Sequence, residues 1–321
     1  MLRYRQSLPL DVKVVMTRNR IRTFIDEYGT DGVYISFSGG KDSTVLLDIV
    51  RKEYPGIPTV FVDTWMEYPE LRQFVRKQEN VVVLKPKMML KEIISRYGWC
   101  FPSKDVAQAI WYARQGKQWA LNKLYGLDSD GKKSLYRQQY IKWLPLYESD
   151  LLISPFCCDK QKEEPAALYE KQTGRHPILA TMAEESARRR VAYLQTGCNS
   201  FEGHRPMSKP MGFWREQDVL QYKVENNIEL AGPYGEVVEV GQTPGQMCFL
   251  PTGGKLRCTG EQRTGCMFCP VGCHLTGFAK FRRLKKYNPR LYDYCMEELG
   301  EKKLIEWVEK NYSRSGWNTA A

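Results

Sequence analysis

Histidine is scarce in this chain, three in 321 residues, which suggests no metal site beyond what the cysteines supply. No apolar run approaches the length of a membrane span, and there is no internal repeat and no low-complexity tract. Membrane-embedded, solenoid and disordered classes are set aside on these grounds. No signal-like segment precedes the cysteines, so a reducing cytoplasm is the expected compartment and no membrane partner is expected. Acidic residues are in deficit, 37 Asp and Glu against 48 Lys and Arg, for a formal net charge of +11. A surplus of that size favours an anionic partner such as a nucleotide or a nucleic acid, or else a solvated basic surface. At this length a core can be buried without covalent staples, so stability alone does not account for ten cysteines. Clustered in a reducing compartment, they point to a metal site or thiol chemistry.

Apolar residues at helical spacing from Leu8 to Tyr28 predict a helix that feeds a strand at Val33–Phe37. Helices and strands then alternate as far as Gly98, in the rhythm of βαβ units and a parallel sheet. From Ser103 to Pro155 the pattern changes to long polar and aromatic helices, a helical insertion of about 103–155. The α/β rhythm resumes with a strand over His176–Thr181 and a helix from Glu184. From about Gly232 the periodicity fades and Gly, Pro and Cys are abundant as far as His274, with three short helical patterns closing the chain. This reading divides the chain at 231/232: an α/β domain of mostly parallel, doubly wound sheet over 1–231, and a cysteine-rich region over 232–321.

The string "SFSGGKDS", Ser36 to Ser43, differs in composition and period from what surrounds it, breaks the apolar run of the first strand and is followed at once by a helix. Gly39 and Gly40 allow successive amides to point into one concavity. The helix N-terminus adds partial positive charge, and Ser38, Ser43 and Thr44 add hydroxyl donors. The result is a phosphate cradle, with a spacing that is not the Walker pattern.

These residues carry a resemblance. "SFSGGKDSTVLLDIV", "YPGIPTVFVDTWMEYPE", "ATMAEESARRR" and "FWREQDVLQY" resemble, in order, four motifs of the phosphoadenosine phosphosulfate (PAPS) reductase family within the PP-loop ATP pyrophosphatases. The resemblance runs from Val33 to about Asn227. It implies an adenine nucleotide alpha-hydrolase-like sheet with the nucleotide, ATP or PAPS/APS, over the C-terminal ends of the strands. Ser38, Gly39, Gly40, Lys41, Asp42, Ser43 and Thr44 are then the phosphate-binding residues and Asp63 a candidate for the nucleoside region. Asp42 is a candidate Mg²⁺ contact, Lys41 a phosphate contact and Arg189 a phosphate or substrate contact, these three forming the expected catalytic set.

"CTGEQRTGCMFCPVGCH" places Cys258, Cys266, Cys269 and Cys273 in sixteen residues, a spacing able to wrap four thiolates around one centre. Zinc and a [4Fe-4S] cluster both accept such a set. The segment is similar to a subgroup of PAPS-reductase-like proteins and to the sulfur-transfer proteins of DNA phosphorothioation systems, which implies iron-sulfur. "CCDKQKEEPA" resembles the Cys-Cys motif of the iron-sulfur adenylyl-sulfate reductases, and implies the alternative set Cys157, Cys158, Cys266 and Cys269. The local set closes shorter loops and is preferred on that ground. Cys100, Cys198, Cys248 and Cys295 carry only a packing reading.

Two reactions share this scaffold. In one, ATP adenylates an acceptor, pyrophosphate leaves and sulfur is added, with a sulfur donor protein as a further partner. In the other, a sulfonucleotide is reduced. The C-terminal stretch lacks the family's Glu-Cys-Gly-x-x-His segment, and Met182 stands where the family has an arginine, so the first is the expectation. Aromatic and basic residues interleaved from Trp111 to Trp143, and the run "KFRRLKKYNPR", suit a nucleic-acid acceptor, although aromatics at helical spacing more often form core. A non-catalytic, zinc-containing nucleic-acid-binding module is the remaining alternative.

Overall fold

The computed structural model describes residues 1–203, 205–240 and 254–312. The first apolar run forms β1 (Val33–Ser36), with Val33, Tyr34 and Ile35 all buried. A strand covered on both faces is apolar throughout rather than alternating, which is why this run has no period of two. β1 sits inside a six-stranded sheet with β2 (Thr59–Val62), β3 (Val81–Leu84), β4 (His176–Leu179), β5 (Asn199–Ser200) and β6 (Met207–Ser208), in the order β3-β2-β1-β4-β6-β5. All pairs are parallel except β5 with β6. Ile35 is in register with Thr59 on one side and Ile178 on the other. Winding proceeds outward from β1 in both directions, so the expected doubly wound, mostly parallel sheet is present and the crevice beyond the ends of β1 and β4 is its switch point.

The chain folds as two compact units, residues 1–85 with 166–265 and residues 86–165 with 266–321. In the first, helix Leu10–Tyr28 ends at Gly29, whose φ of 74° terminates it. Its Lys13 is 1% exposed and donates to both carboxylate oxygens of Asp218, at 2.8 and 2.7 Å, fixing helix Glu216–Glu225. Helix Lys41–Arg51 buries Val45, Leu46, Ile49 and Val50, and each such side chain contributes roughly 1.5–3 kcal/mol.

The same unit holds a hairpin that the fading periodicity did not predict, β7 (Val237–Val240) antiparallel to β8 (Lys255–Cys258). Gln217 clamps it to the sheet side: Nε2 donates to the Leu256 carbonyl and Oε1 accepts the Leu256 amide, both at 2.9 Å. The compact units differ from the 231/232 division, since residues 232–265 group with the first unit, where Gln217 of helix Glu216–Glu225 holds the hairpin.

The second unit is helical. Ser103 caps helix Lys104–Arg114 by accepting the Val106 amide at 3.2 Å. The run read as one long helix breaks at Gly116, at φ 75°, and restarts as Gln118–Leu124. Arg114 holds the following turn by donating to the carbonyls of Leu146, Tyr147, Ser149 and Leu151. Helices Ala279–Tyr287 and Glu301–Tyr312 close the described chain. No described helix is long and apolar enough to cross a membrane.

Candidate functional site

β1 runs through Phe37 into the glycine turn, and helix Lys41–Arg51 starts directly from Gly40. Gly39 lies at φ 71°, and a Cβ there would stand 2.7 Å from Leu71 Cδ2 and 2.8 Å from Val75 Cγ2. Backbone conformation and the approach of helix Pro69–Arg76 both require glycine at that position. Ser43 Oγ donates to the Gly40 carbonyl at 2.9 Å and accepts the Ser38 amide at 3.3 Å. Thr44 Oγ1 donates to the same carbonyl at 3.0 Å. These hydroxyls hold the turn rather than reach outward. One donor of the cradle is engaged from outside it: the Lys41 amide donates to Tyr234 Oη at 3.0 Å, and that hydroxyl lies 2.8 Å from Thr264 Oγ1.

Beside the loop is a cavity of about 220 Å³ lined by Lys41, Asp42, Met182, Glu184, Glu185, Glu216 and Arg263. Lys41 is 2% exposed, and its ammonium donates to Glu216 Oε1 at 2.9 Å and to the Gln262 carbonyl. Burial opposes that charge, but Asp42 and Glu216 outweigh it and the ammonium's pKa is raised. Asp42 is the opposite case. Its Oδ1 is buried without a hydrogen-bond partner, and burial, against the attraction of Lys41 and Arg263 and with the repulsion of Glu185 and Glu216, pushes the carboxyl up to about 6. Four carboxyl groups thus face two cations in one cavity. A bare anion would meet net negative charge there, whereas phosphates accompanied by a divalent cation would complete it. The unpartnered Asp42 oxygen fits the expected Mg²⁺ contact. Among the described residues no group of three or more His, Cys, Asp or Glu is arranged to hold a metal ion unaided, and Mg²⁺ characteristically draws most of its ligands from phosphates and water.

At the end of β2, Asp63 is 3% exposed, and its carboxylate accepts Arg72 Nε and Nη2, both at 2.8 Å, and the Trp65 amide at 3.1 Å. The expected nucleoside residue is therefore already paired, and its visible role is to shape the turn. Trp65 was not singled out by the sequence. It has φ 65°, a genuine outlier for a bulky residue, is 51% exposed, and carries the Arg72 guanidinium 3.9 Å from its ring centre. Its neighbours Asp63, Thr64 and Glu67 are all buried, so the indole is the most exposed side chain of the turn.

Arg189, the third of the expected catalytic set, forms an ion pair with Glu185, and its amide is capped by Ser186 Oγ at 3.2 Å. It does not line the cavity, though Glu185 does. Tyr234, Glu185, Glu216 and Arg263 complete the neighbourhood of the loop and were also missed. Gly-Pro-Tyr-Gly around Tyr234 was a turn signal, but nothing local indicated which loop it would meet.

The cysteines separate. Cys258 ends β8 in the first unit and is 2% exposed. Burial raises its thiol pKa, and the charges that act on it are those of Lys41, Glu216, Asp42 and Lys223. Cys266, Cys269 and Cys273 belong to the second unit, as do Cys157 and Cys158. Burial raises the Cys157 thiol, and Cys158, Cys266, Cys269 and Cys100 add to the shift. Burial pushes Cys269 up to about 12, with Cys266 and Cys158 acting in the same direction and Lys280 against it. Lys104 and Lys162 bear on Cys158, and Lys280 Nζ donates to the Cys266 carbonyl at 2.5 Å. A neighbourhood of thiols with lysines around it favours thiolates once a positive centre is supplied. Cys273 is next to the buried Glu301 and to Cys269. Cys248 lies outside the described residues.

Much of the aromatic and basic series from Trp111 to Trp143 is consumed by packing. Trp143 is 3% exposed and stacks on Tyr312 with ring centres 4.5 Å apart, while Lys123 pairs with Asp105 at 2.6 Å. Trp119, Tyr125 and Tyr136 remain exposed.

Comparison with known proteins adds three findings. A crystal structure of phosphoadenylyl-sulfate (PAPS) reductase from Candida auris, a phosphate complex, is similar over 67% of this chain and 81% of its own, at 17% identity and a TM-score of 0.39. An uncharacterized protein of Methanocaldococcus jannaschii is 25% identical over 290 residues, 88% of this chain; the chain spans half the length of that relative. Residues 32–118 match the family model described as the phosphoadenosine phosphosulfate reductase domain. The glycine turn after β1 and the Asp63–Trp65 turn both lie inside the matched stretch, and over that stretch the chain is similar to the phosphoadenosine phosphosulfate reductase domain.

Proposed function

We propose that the chain binds ATP with Mg²⁺ on Ser38, Gly39, Gly40, Asp42 and Ser43, releases pyrophosphate by adenylating an acceptor, and supports sulfur transfer to that acceptor. The observation that carries this reading is the charge balance of the cavity, four carboxyl groups against Lys41 and Arg263. Met182 on its wall supplies no cation for a bare sulfonucleotide.

Mg²⁺ would neutralise phosphate charge, and Asp42 is the residue of this chain that would hold it. Lys41, aimed by Glu216 and the Gln262 carbonyl, is placed to offset charge on the departing pyrophosphate. An acceptor oxygen attacks the α-phosphorus, the bond from that phosphorus to the bridging oxygen breaks, and pyrophosphate leaves with that oxygen. Hydrosulfide from a donor protein then attacks the activated acceptor atom, the bond from that atom to the adenylated oxygen breaks, and AMP leaves with that oxygen. Trp65 offers a face for a planar base.

Cys157, Cys158, Cys266 and Cys269 act on one another electrostatically, as Cys100 does on Cys157, and are not gathered into a metal-holding group among the described residues; on that proximity and the Cys-Cys resemblance we assign them to a [4Fe-4S] cluster, which would supply electron-transfer or sulfur-activating chemistry. The same neighbourhood is what favours the second reading, sulfonucleotide reduction. A nucleic acid is proposed as acceptor from the net charge of +11.

The test is binding of ATP with Mg²⁺ against PAPS and APS on one anaerobically purified sample, together with its iron and sulfide content. Magnesium-dependent preference for ATP and pyrophosphate release on adding acceptor are the expected results. Preference for PAPS or APS would move the assignment to the reductase. A colourless protein that binds zinc and no nucleotide would leave only a binding module.

A further inference from the structure

The segment after β4 separates two pockets of opposite character. Met182, Glu184 and Glu185 line the carboxylate cavity beside the phosphate loop. The alternate residues Thr181 and Ala183 line a second, smaller pocket of about 30 Å³, whose other walls are Arg189, Ala192 and Tyr193 on one face of helix Ala187–Thr196, and Lys209 with Gly212. Its frame is rigid. Gly212 accepts the Ala183 amide at 2.9 Å through its carbonyl and donates its own amide to Lys209 at 2.9 Å, while the Lys209 amide donates to the Cys198 carbonyl at 2.6 Å. A Cβ on Gly212 would stand 2.6 Å from the Tyr193 ring, so that wall tolerates nothing larger than glycine.

The charges in this frame do not balance. Arg189 is paired with Glu185, and Arg205 with Glu170 through two bonds of 2.7 and 2.6 Å. The Lys209 ammonium has no ion pair or hydrogen bond among the described residues. Burial, and then the like charges of Arg189 and Arg205, push its pKa down. A half-buried cation set beside two others without a counter-charge is unfavourable in the free protein and becomes favourable when an oxyanion enters.

We propose that this pocket is a second anion site, separate from the phosphate loop, which takes one phosphate or sulfate group on Lys209 with Arg189 and Arg205 as flanking cations. A volume of about 30 Å³ excludes a base or sugar, so the tetrahedral group would sit at the mouth of the pocket. The group could be an internal phosphodiester of a polynucleotide or the terminal phosphate of a small molecule.

Equilibrium dialysis of the full chain against labelled inorganic phosphate tests this. The expected result is two bound equivalents in the unaltered protein and one in Lys209→Met, with at least a tenfold weaker second site. Lys209→Gln serves as a second variant, Lys209→Arg should keep both equivalents, and circular dichroism checks that each is folded. In phosphate-free buffer Lys209→Met should melt at or above the temperature of the parent, because a repulsion has been removed. Displacement of the Lys209-dependent equivalent by a dephosphorylated single-stranded oligonucleotide would identify a phosphodiester as the ligand, and displacement by adenosine 3′-phosphate a terminal monoester. Two equivalents retained in Lys209→Met, or a single equivalent lost on Gly39→Ala and untouched at Lys209, would overturn the proposal. A single equivalent lost only at Lys209 would instead count against the phosphate loop.

Discussion

The glycine turn after β1 and the second unit each hold one carboxyl group with a buried oxygen that has no hydrogen-bond partner among the described residues, and the two are in different situations. Asp42 lines a cavity that a ligand can enter, with Lys41 and Arg263 near it. Glu301, in the second unit, is fully buried beside Cys273 and Cys295, with the charge of Lys280 acting on it. Both are pushed toward the neutral acid by burial. An unpartnered carboxyl in an open cavity is poised for a cation, whereas one sealed among thiols is poised to hold its proton. The cradle is also assembled from adjacent residues and the thiols from two distant stretches of chain. Damage to the first should therefore stay local, and damage to the second should remove the whole feature.

Serine substitutions in the second unit should have the largest effect. Cys269→Ser and Cys157→Ser are each expected to abolish the iron-sulfur chromophore of anaerobically purified protein while ATP binding persists. Cys258→Ser, in the first unit, should leave the absorbance intact. Loss of colour in Cys258→Ser with retention in Cys157→Ser would restore the local set Cys258, Cys266, Cys269 and Cys273.

Asp42→Asn comes next, with pyrophosphate release falling about 10²–10³-fold at unchanged chromophore. The apo variant carries a second signature. A carboxyl whose folded pKa is raised from 3.8 to about 6 favours folding fully below its unfolded value and loses that contribution as pH rises through about 6. Asp42→Asn should then be more stable than the parent at pH 8, by roughly 2–3 kcal/mol, and not at pH 3. Equal pH dependence in the two proteins would show that Asp42 is solvated.

Gly39→Ala should cost about 2–4 kcal/mol, from the left-handed backbone and the contact with Leu71 and Val75, and weaken nucleotide binding. Denaturant titration reads the first and calorimetry the second; a cost below about 0.5 kcal/mol would mean that helix Pro69–Arg76 yields easily. Glu301→Gln is read on stability alone, with no effect expected on nucleotide binding. Because the parent carboxyl is favoured as the neutral acid, the variant should melt at nearly the same temperature at pH 4 and higher at pH 8. A lower melting temperature at pH 8 would reveal an ionised Glu301 with a function in its charge.

The parallel sheet was legible because β1 to β4 are apolar runs separated by amphipathic helices, and that periodicity is a local property. The cradle was legible for the same reason: Gly39, Gly40 and Ser43 act on one another within a single turn. Trp65 was not, since its left-handed backbone follows from Asp63, Thr64 and Glu67 bonding inside the turn, and no tryptophan signals that conformation. The break at Gly116 was visible as a residue and unread as a break, because one glycine costs a helix only about 1 kcal/mol and packing decides.

The sequence by itself determined the class of fold, the glycine turn that follows β1 and the presence of four thiols within sixteen residues, all set by neighbours along the chain. Tertiary structure decided that Cys258 and Cys157 fall in different units, that Tyr234 accepts the Lys41 amide, and that Lys209 stands near Arg189 and Arg205 with no ion pair among the described residues. Those outcomes depend on burial and on charges brought close by strand order, and Coulomb interactions act through space whatever the separation in sequence.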